Sequence, residues 1–428
     1  MIYFYHLISV FAALLVVPCF ALFSLFSRNK WRRLNDHFGL VSLNNARGKQ
    51  KKTLWFHALS LGEVVGATPT IRLLRQNRPQ DRIVVSVTTD SGFEAAKRKL
   101  PDVDALFFFP LDCFPFNWAA IRKVQPDLFV LVDTGFWPGF IHLLHLKGIP
   151  ALLFNGRISS RSMRKYRIFG FFFRQLFNWF TMLCMQNPHG RNELESIGVD
   201  KLRLVVIGDP KFDTLPNSSE KKRDKIRQKL QIAPLSMVWV AGSTHEGEEQ
   251  TLLDVHNRLR KEFGNLTLIL APRRLERSTH IARVIMTKGI SFVRRSDQWD
   301  KEDNTFSVLL LDTIGELAEV YSICDLAFVG NSFLAPGGGH NLIEPVAQGK
   351  PVLFGPFVEN NRHNAIELIK SGLGVQVSSA DEMEEAVRRW LLDKIERAKL
   401  EGRAKGFILH NQGASRRMAD LIDDQLKS

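Results

Sequence analysis

A chain of 428 residues is longer than one hydrophobic core usually organises, so two domains are the natural expectation. A hydrophobic fraction of 45% and a charged fraction of 24% exclude an intrinsically disordered chain. The net charge of +14 points to an anionic partner, but two segments carry it: Arg28–Lys52 has eight Lys/Arg against Asp36 alone, and Thr134–Asn192 has eight Lys/Arg and no acid. The rest of the chain is close to neutral, and half of the excess adjoins an apolar segment. That distribution favours a lipid surface or a phosphorylated substrate, with no nucleic acid as partner.

In chain order, the first 27 residues contain no Asp, Glu, Lys or Arg, and Tyr3–Phe26 is long enough to cross a bilayer at about 20 residues. Arg28, Lys30, Arg32 and Arg33 follow the apolar run and do not precede it, which predicts a membrane anchor over 1–27 and no cleaved signal peptide. The body of the protein is then expected on the cytoplasmic side of the inner membrane. His6 and Pro18 interrupt the run, so both a spanning and an interfacial anchor stay open.

Short apolar runs then alternate with helical patterns: "TLWFHALS", "RIVVSVTT", "ALFFFP", "DLFVLVD" and "ALLFNG" are expected strands of a first, Rossmann-like domain over 28–213. A polar interval over 214–233 reads as a linker. "MVWVAG", "LTLILAP", "ISFVRR", "SVLLLD", "LAFVG" and "PVLFG" are six strands of a second domain over 234–405, and 406–428 is expected to be a helix packing back on the first domain. Two such α/β domains predict a cleft between them, with ligands at the carboxyl ends of the strands. Glu63, directly after "TLWFHALSLG", lies at one such end.

In "FLAPGGGHNLIEPVAQGKPVLFGP" (Phe333–Pro356), three glycines precede His340 and Asn341, which are expected to open a helix holding Glu344. A glycine turn at a helix N-terminus suits a phosphate, the plainer alternative being a tight turn with a cap. Neither a dinucleotide fingerprint nor a P-loop is present. In "AGSTHEGEE", Ser243 and Glu246 fit a capping box, while Ser243 and Thr244 also sit where mononucleotide phosphates usually lie. Arg273, Arg274 and Arg277 follow a strand and are candidates for a nucleotide phosphate. Arginines interleave with phenylalanines in "NGRISSRSMRKYRIFGFFFRQLFNWF", a pattern suited to anionic lipid. His142 and His145 share a helix face but lack an acidic partner, so packing is the better reading than a metal. Cys19, Cys113, Cys184 and Cys324 are scattered and read as free, packed thiols.

With these segments in hand, the chain resembles the 3-deoxy-D-manno-octulosonic acid (Kdo) transferases of lipid A assembly, inverting glycosyltransferases of the GT-B fold. "WFHALSLGEV" is similar to the family's Trp-x-His-x-x-Ser-x-Gly-Glu element and "NGRISSRSMRKY" to its Asn-Ala-Arg-Leu-Ser-x-Arg-Ser segment. "AGSTHEGEE", "APRRLERS", "DTIGELAEVYSICDLAFVGNSF" and "GGHNLIEPVAQGKPVLFGP" follow in the family's order. The resemblance implies CMP-Kdo as donor, a lipid A precursor as acceptor, Glu63 as general base, and no metal or other cofactor. It associates Lys211, Arg273, Gly338, Gly339, His340, Asn341 and Glu344 with the donor, and Ser60, Gly62, Asp133, Arg157 and Arg161 with the acceptor or membrane side. The chain departs from the pattern in reading "DTGFWP" where Glu-Thr-Glu-x-Trp-Pro is usual, so Gly135 replaces an acid. It also reads "GDPKFD" for Gly-Asn-x-Lys-x-Asp, and Arg274 stands where histidine is common. Gly135 keeps an alternative open, a GT-B enzyme with another sugar or lipid acceptor, or an inactive membrane-bound paralogue.

Overall fold

The structure, a computed structural model, describes residues 2–24, 28–43, 52–158, 160–215, 220–297 and 306–427. Arg47, Lys49 and Lys51 of the first basic segment lie outside the described residues, as do the side chains of Cys19, Arg28, Lys30, Arg32 and Arg161. The chain forms two compact units, one of residues 1–214 with 411–428, the other of residues 215–410.

The first unit is built on seven parallel strands: β1 (Thr53–Ala58), β2 (Arg82–Val87), β3 (Ala105–Phe108), β4 (Leu128–Val132), β5 (Ala151–Gly156), β6 (Met182–Met185) and β7 (Leu204–Val206). Their order is β3-β2-β1-β4-β5-β6-β7. β1, β4 and β5 are buried at every position because helices cover both faces, which is why their sequences are continuous apolar runs without alternation. One face holds Trp55, Phe107, Phe129, Phe140 and Phe177; the other holds Phe56, Ile71, Val85, Val130 and Phe154. The chain order reverses between β1 and β4, and their carboxyl ends are where an open parallel sheet leaves a crevice.

The last helix, Ala414–Lys427, lies against the helix Leu61–Asn77, burying Met418, Ala419 and Ile422 beside Val64, Ala67 and Ile71. Asp213 fixes its start by accepting the amides of Gly413 at 2.6 Å and Ser415 at 2.7 Å. A carboxylate on the first amides of a helix satisfies groups that otherwise lack partners.

The second unit repeats the scheme with β8 (Met237–Thr244), β9 (Leu266–Pro272), β10 (Phe292–Arg294), β11 (Val308–Leu310), β12 (Leu326–Val329), β13 (Val352–Phe354) and β14 (Gly374–Gln376) in the parallel order β10-β11-β9-β8-β12-β13-β14. Part of the segment read as a linker is a helix, Glu220–Lys229, after which Leu230 and Ile232 are buried in the core of this unit.

The N-terminal apolar segment is a helix, Ile2–Ser24. Among the described residues, no helix is long and apolar enough to cross a membrane, so the spanning form of the anchor is not supported. Tyr5 and His6 tie it to the rest of the first unit: the Tyr5 hydroxyl donates to Asp112 at 2.6 Å, and His6 Nε2 lies 3.0 Å from His142 Nδ1. Phe4, Leu7, Phe11 and Leu14 remain exposed.

Candidate active site

Glu63 sits in the first turn of the helix that leaves β1. Ser60 is the N-cap, in extended conformation, and Glu63 is the third helical residue, the spacing at which a side chain reaches back to unpaired amides. Its Oε2 accepts the amides of Leu59 and, at 3.3 Å, of Ser60, while its Oε1 accepts the Ser60 hydroxyl at 3.4 Å. Amide donors normally hold a carboxylate low. Here burial and then the nearby Asp133 outweigh them, and Glu63 is pushed up to about 7. A carboxyl group with that ionisation is suited to taking a proton near neutral pH.

Asp133 follows β4, at the other side of the switch point, in left-handed conformation with φ of 65°. It is buried, accepts the Thr134 amide at 2.7 Å, and forms an ion pair with Arg157, which follows β5. Asp209 and Glu63 also lie close enough to Arg157 to favour its charge. Lys211, expected near the donor, belongs to the first unit, where its amide is bound by Asp209 at 2.9 Å.

The β1–β4 ends are held together by His57, a residue that motif reading left without a role. Fully buried, it stacks on Phe109 at 3.8 Å and accepts the Trp137 indole N–H at 3.0 Å, with Nδ1 3.1 Å from the Ser86 carbonyl. Burial pushes it down to about 3, so it stays neutral and anchors the segment after Asp133 rather than exchanging protons. Gly135, between Asp133 and Trp137, is overlaid by Leu59: a Cβ there would stand 2.5 Å from Leu59 Cδ2 and 2.7 Å from Cδ1. Gly62 has open space at its Cβ position.

In the second unit the same switch-point logic applies to β8 and β12. β8 runs through Thr244, and the helix Glu248–Leu259 begins after Gly247, so Ser243 and Glu246 form no capping box. Ser243 has φ of 55° within β8, where the register with β9 shifts between Gly242 and Thr244. Thr244 is fully buried and its hydroxyl donates to Glu249 at 3.0 Å, which withdraws it from any ligand. Glu249 also takes both guanidinium nitrogens of Arg277, at 2.7 and 3.2 Å.

Glu248 is the organiser that sequence reading missed. Its two oxygens accept four backbone amides, His245 at 2.8 Å and Asn331 at 2.9 Å on one, Ser332 and Phe333 at 3.0 Å on the other. It thereby joins the loops after β8 and β12. The only sequence signal was two consecutive acids, Glu248 and Glu249, where one suffices for capping.

The glycine loop departs from the expected phosphate cradle. The Gly338 amide donates to Phe357, that of Gly339 to Asn331 and that of His340 to Gly330. All three glycines have positive φ, and a Cβ on Gly337 would stand 2.4 Å from Phe357 Cβ. The glycines are therefore required by a tight, closely packed turn, with these amides already used. Asn341 and Glu344 bond each other at 3.0 Å, and the helix Ile343–Ala347 starts after both His340 and Asn341. Near the loop, His340 lies with its Nε2 2.9 Å from that of His245, and Arg273 and Arg274 are exposed. Burial, then His245 and Arg273, push His340 down to about 4.

His142 and His145 pack around Trp179, at ring distances of 4.7 and 6.3 Å. Among the described residues no group of acids, histidines and cysteines has the arrangement of a metal site, and Cys113, Cys184 and Cys324 are buried free thiols.

The family model for 3-deoxy-D-manno-octulosonic-acid transferase (kdotransferase) matches residues 32–214, and that for glycosyl transferases group 1 matches residues 242–407. The chain is 33% identical over 417 residues to the 3-deoxy-D-manno-octulosonic acid transferase of Haemophilus influenzae, covering 96% of each chain. The chain belongs to the Kdo transferase family. The enzyme of the same name from Chlamydophila psittaci is 33% identical over 75% of this chain and 73% of that one. Among solved structures, UDP-GlcNAc 2-epimerase from Neisseria meningitidis shares the fold of two parallel-sheet α/β domains, of GT-B type, with a TM-score of 0.59 and 15% identity over 88% of this chain and 99% of that one.

Proposed function

We propose that Glu63 is the general base of a Kdo transferase that moves Kdo from CMP-Kdo to a hydroxyl of a lipid A precursor, in lipid A and lipopolysaccharide core biosynthesis. Membership of the family carries the reaction class. The observation that supports Glu63 in particular is its carboxylate, fixed by two amides at the carboxyl end of β1 and raised to about 7.

In this reading the acceptor hydroxyl gives its proton to Glu63 as its oxygen bonds to the anomeric carbon of Kdo. The bond from that carbon to phosphate breaks, and CMP leaves with the electron pair. Inversion follows from displacement on the opposite face. Arg273 and Arg274 supply positive charge, and the His245–His340 pair hydrogen bonds, for the phosphate, where charge develops. Ser243 and the Asn341–Glu344 pair offer polar groups for the nucleotide or sugar hydroxyls. Ser60, Asp133 and Arg157 shape the acceptor side around Glu63.

The helix Ile2–Ser24 lies in the membrane interface in this reading, with Phe4, Leu7, Phe11 and Leu14 in contact with lipid at the cytoplasmic side of the inner membrane. Ile168, Phe169 and Phe171, exposed among Arg164, Lys165 and Arg167, are a second lipid contact. A second reading of the acceptor, a lipid other than the lipid A precursor, is favoured by Gly135, where Leu59 covers the position of a usual acid.

The test is incubation with CMP-Kdo and lipid A precursor beside Glu63→Gln. Transfer by the native chain and none by the variant is expected; a variant with native activity removes Glu63 as base. Product only with a different lipid supports the second reading. Flotation with anionic vesicles, lost when Phe4, Leu7 and Phe11 are changed to serine, checks the membrane contact; flotation unaffected by those changes contradicts it.

A further inference from the structure

We infer that the Leu59 side chain, seated on the backbone of Gly135, positions the Glu63 carboxylate, so that Leu59 is a positioning residue and Gly135 is the residue that admits it. The inference rests on Glu63 as the base.

Leu59 is tied on every side except along its side chain. Its amide donates to Glu63 Oε2, and its carbonyl accepts the amides of Thr88 at 3.2 Å and Thr89 at 3.1 Å and the Thr89 hydroxyl at 3.1 Å. Those bonds link the end of β1 to the end of β2, so a displacement of Leu59 is passed to the carboxylate that its amide holds. On the opposite side, the Asp133–Trp137 segment is held by the Arg157 ion pair, the Thr134 amide and the His57–Trp137 bond. The isobutyl group fills the gap between these two fixed pieces, with Cδ2, Cδ1 and Cγ at 2.5, 2.7 and 3.1 Å from where a Cβ of residue 135 would stand.

No side chain at 135 fits while Leu59 keeps this place, because real Cβ atoms do not approach carbon that closely. Any substitution there must turn Leu59 out. The apolar group then leaves the neighbourhood of the carboxylate, water takes its place, and the amide that holds Oε2 shifts with its residue. Burial is the leading cause of the raised Glu63 ionisation, so its hydration lowers the pH at which it loses its proton.

The test uses the full chain with Gly135→Ala, Leu59→Ala and the double variant, assayed for transfer across pH with CMP-Kdo and lipid A precursor. Gly135→Ala is expected to lower kcat roughly 10- to 100-fold with little change in donor KM, the scale of a misplaced catalytic group. In both single variants the acid limb of the kcat profile moves to lower pH by at least about half a unit. The double variant, in which the displaced side chain is already absent, falls no further than Leu59→Ala, a non-additive pair. Additive effects, or an acid limb unmoved in Leu59→Ala, overturn the inference. Leu59→Ala removes atoms without introducing a clash, so it decides the matter even where Gly135→Ala does not fold. Full transfer by Glu63→Gln would instead strike the reading of the base, a separate outcome.

Discussion

The Glu63 carboxylate accepts the amide of Ser60, the N-cap of its own helix, at 3.3 Å. One side chain thus closes the helix start and is the proposed proton acceptor, and its amide bonds pull its ionisation down while burial and Asp133 pull it up. Burial and Asp133 prevail, raising it to about 7. The kcat of transfer is therefore expected to rise with pH through about 7 and to level off above. Glu63→Gln is expected to lose roughly 10²- to 10⁴-fold in kcat, the range of a general base. A profile flat between pH 5 and 8 would count against the assignment.

The same shift has a cost in stability. The folded protein binds the Glu63 proton more tightly than the unfolded chain, whose glutamate titrates near 4.5. This contribution is fully present below pH 4.5 and is lost as pH rises through about 7. Glu63→Gln stays neutral and should exceed the native protein in stability at pH 8 by on the order of 2 kcal/mol, the gap closing toward pH 4.5. Denaturant titrations at the two pH values measure it.

Asp133 raises Glu63 by like charge, so Asp133→Asn should move the acid limb of the kcat profile to lower pH. It also deprives Arg157 of its ion-pair partner, leaving that cation to Glu63 and Asp209. Both changes favour ionised Glu63. An acid limb shifted upward in Asp133→Asn would show that Asp133 acts on Glu63 in some other way.

Glu248 makes a stability prediction in the second unit. Glu248→Ala leaves four amides without their acceptor and is expected to cost about 2–4 kcal/mol in the unfolding of that unit. CMP affinity should fall with it, since the displaced loops carry His245 and lead to His340. Unfolding followed by tryptophan fluorescence, with calorimetric titration of CMP, separates loss of stability from loss of affinity.

Arg273 is exposed beside His340 and is proposed to meet the donor phosphate. Arg273→Ala should weaken CMP binding by about tenfold, the worth of one charge-assisted contact, and make the remaining binding less sensitive to salt. CMP affinity equal to the native value at low salt would exclude the contact.

Eleven of the strands were legible as apolar runs because helices cover both sheet faces. β6, β7 and β14 were missed; they are no shorter than β10, β11 and β13, which were found, and β7 and β14 stand only partly buried at an edge. Motifs singled out Glu63, Asp133 and Arg157, which the fold places just beyond β1, β4 and β5, and Arg273 and His340 in the second unit. Thr244 and the glycine loop were misread, because a hydroxyl or an amide at a strand end looks available in sequence whether or not a neighbour has already taken it. For the Ile2–Ser24 helix, composition suggested a span, whereas Tyr5 and His6 turn toward Asp112 and His142, residues more than a hundred positions away.

By itself the sequence determined the local order of this protein: two parallel α/β sheets, the strand after which Glu63 stands, and the family its motifs mark. Those follow from apolar runs, turn residues and short-range spacing, which act between near neighbours. Tertiary structure alone decided which polar groups are free. Glu248 reaches amides 83 to 85 residues away, Asp213 fixes a helix start 200 residues later, and Leu59 covers Gly135 across the switch point of the first sheet. Hydrogen bonding and exclusion of volume act through space, and no spacing along the chain encodes which donor finds which acceptor.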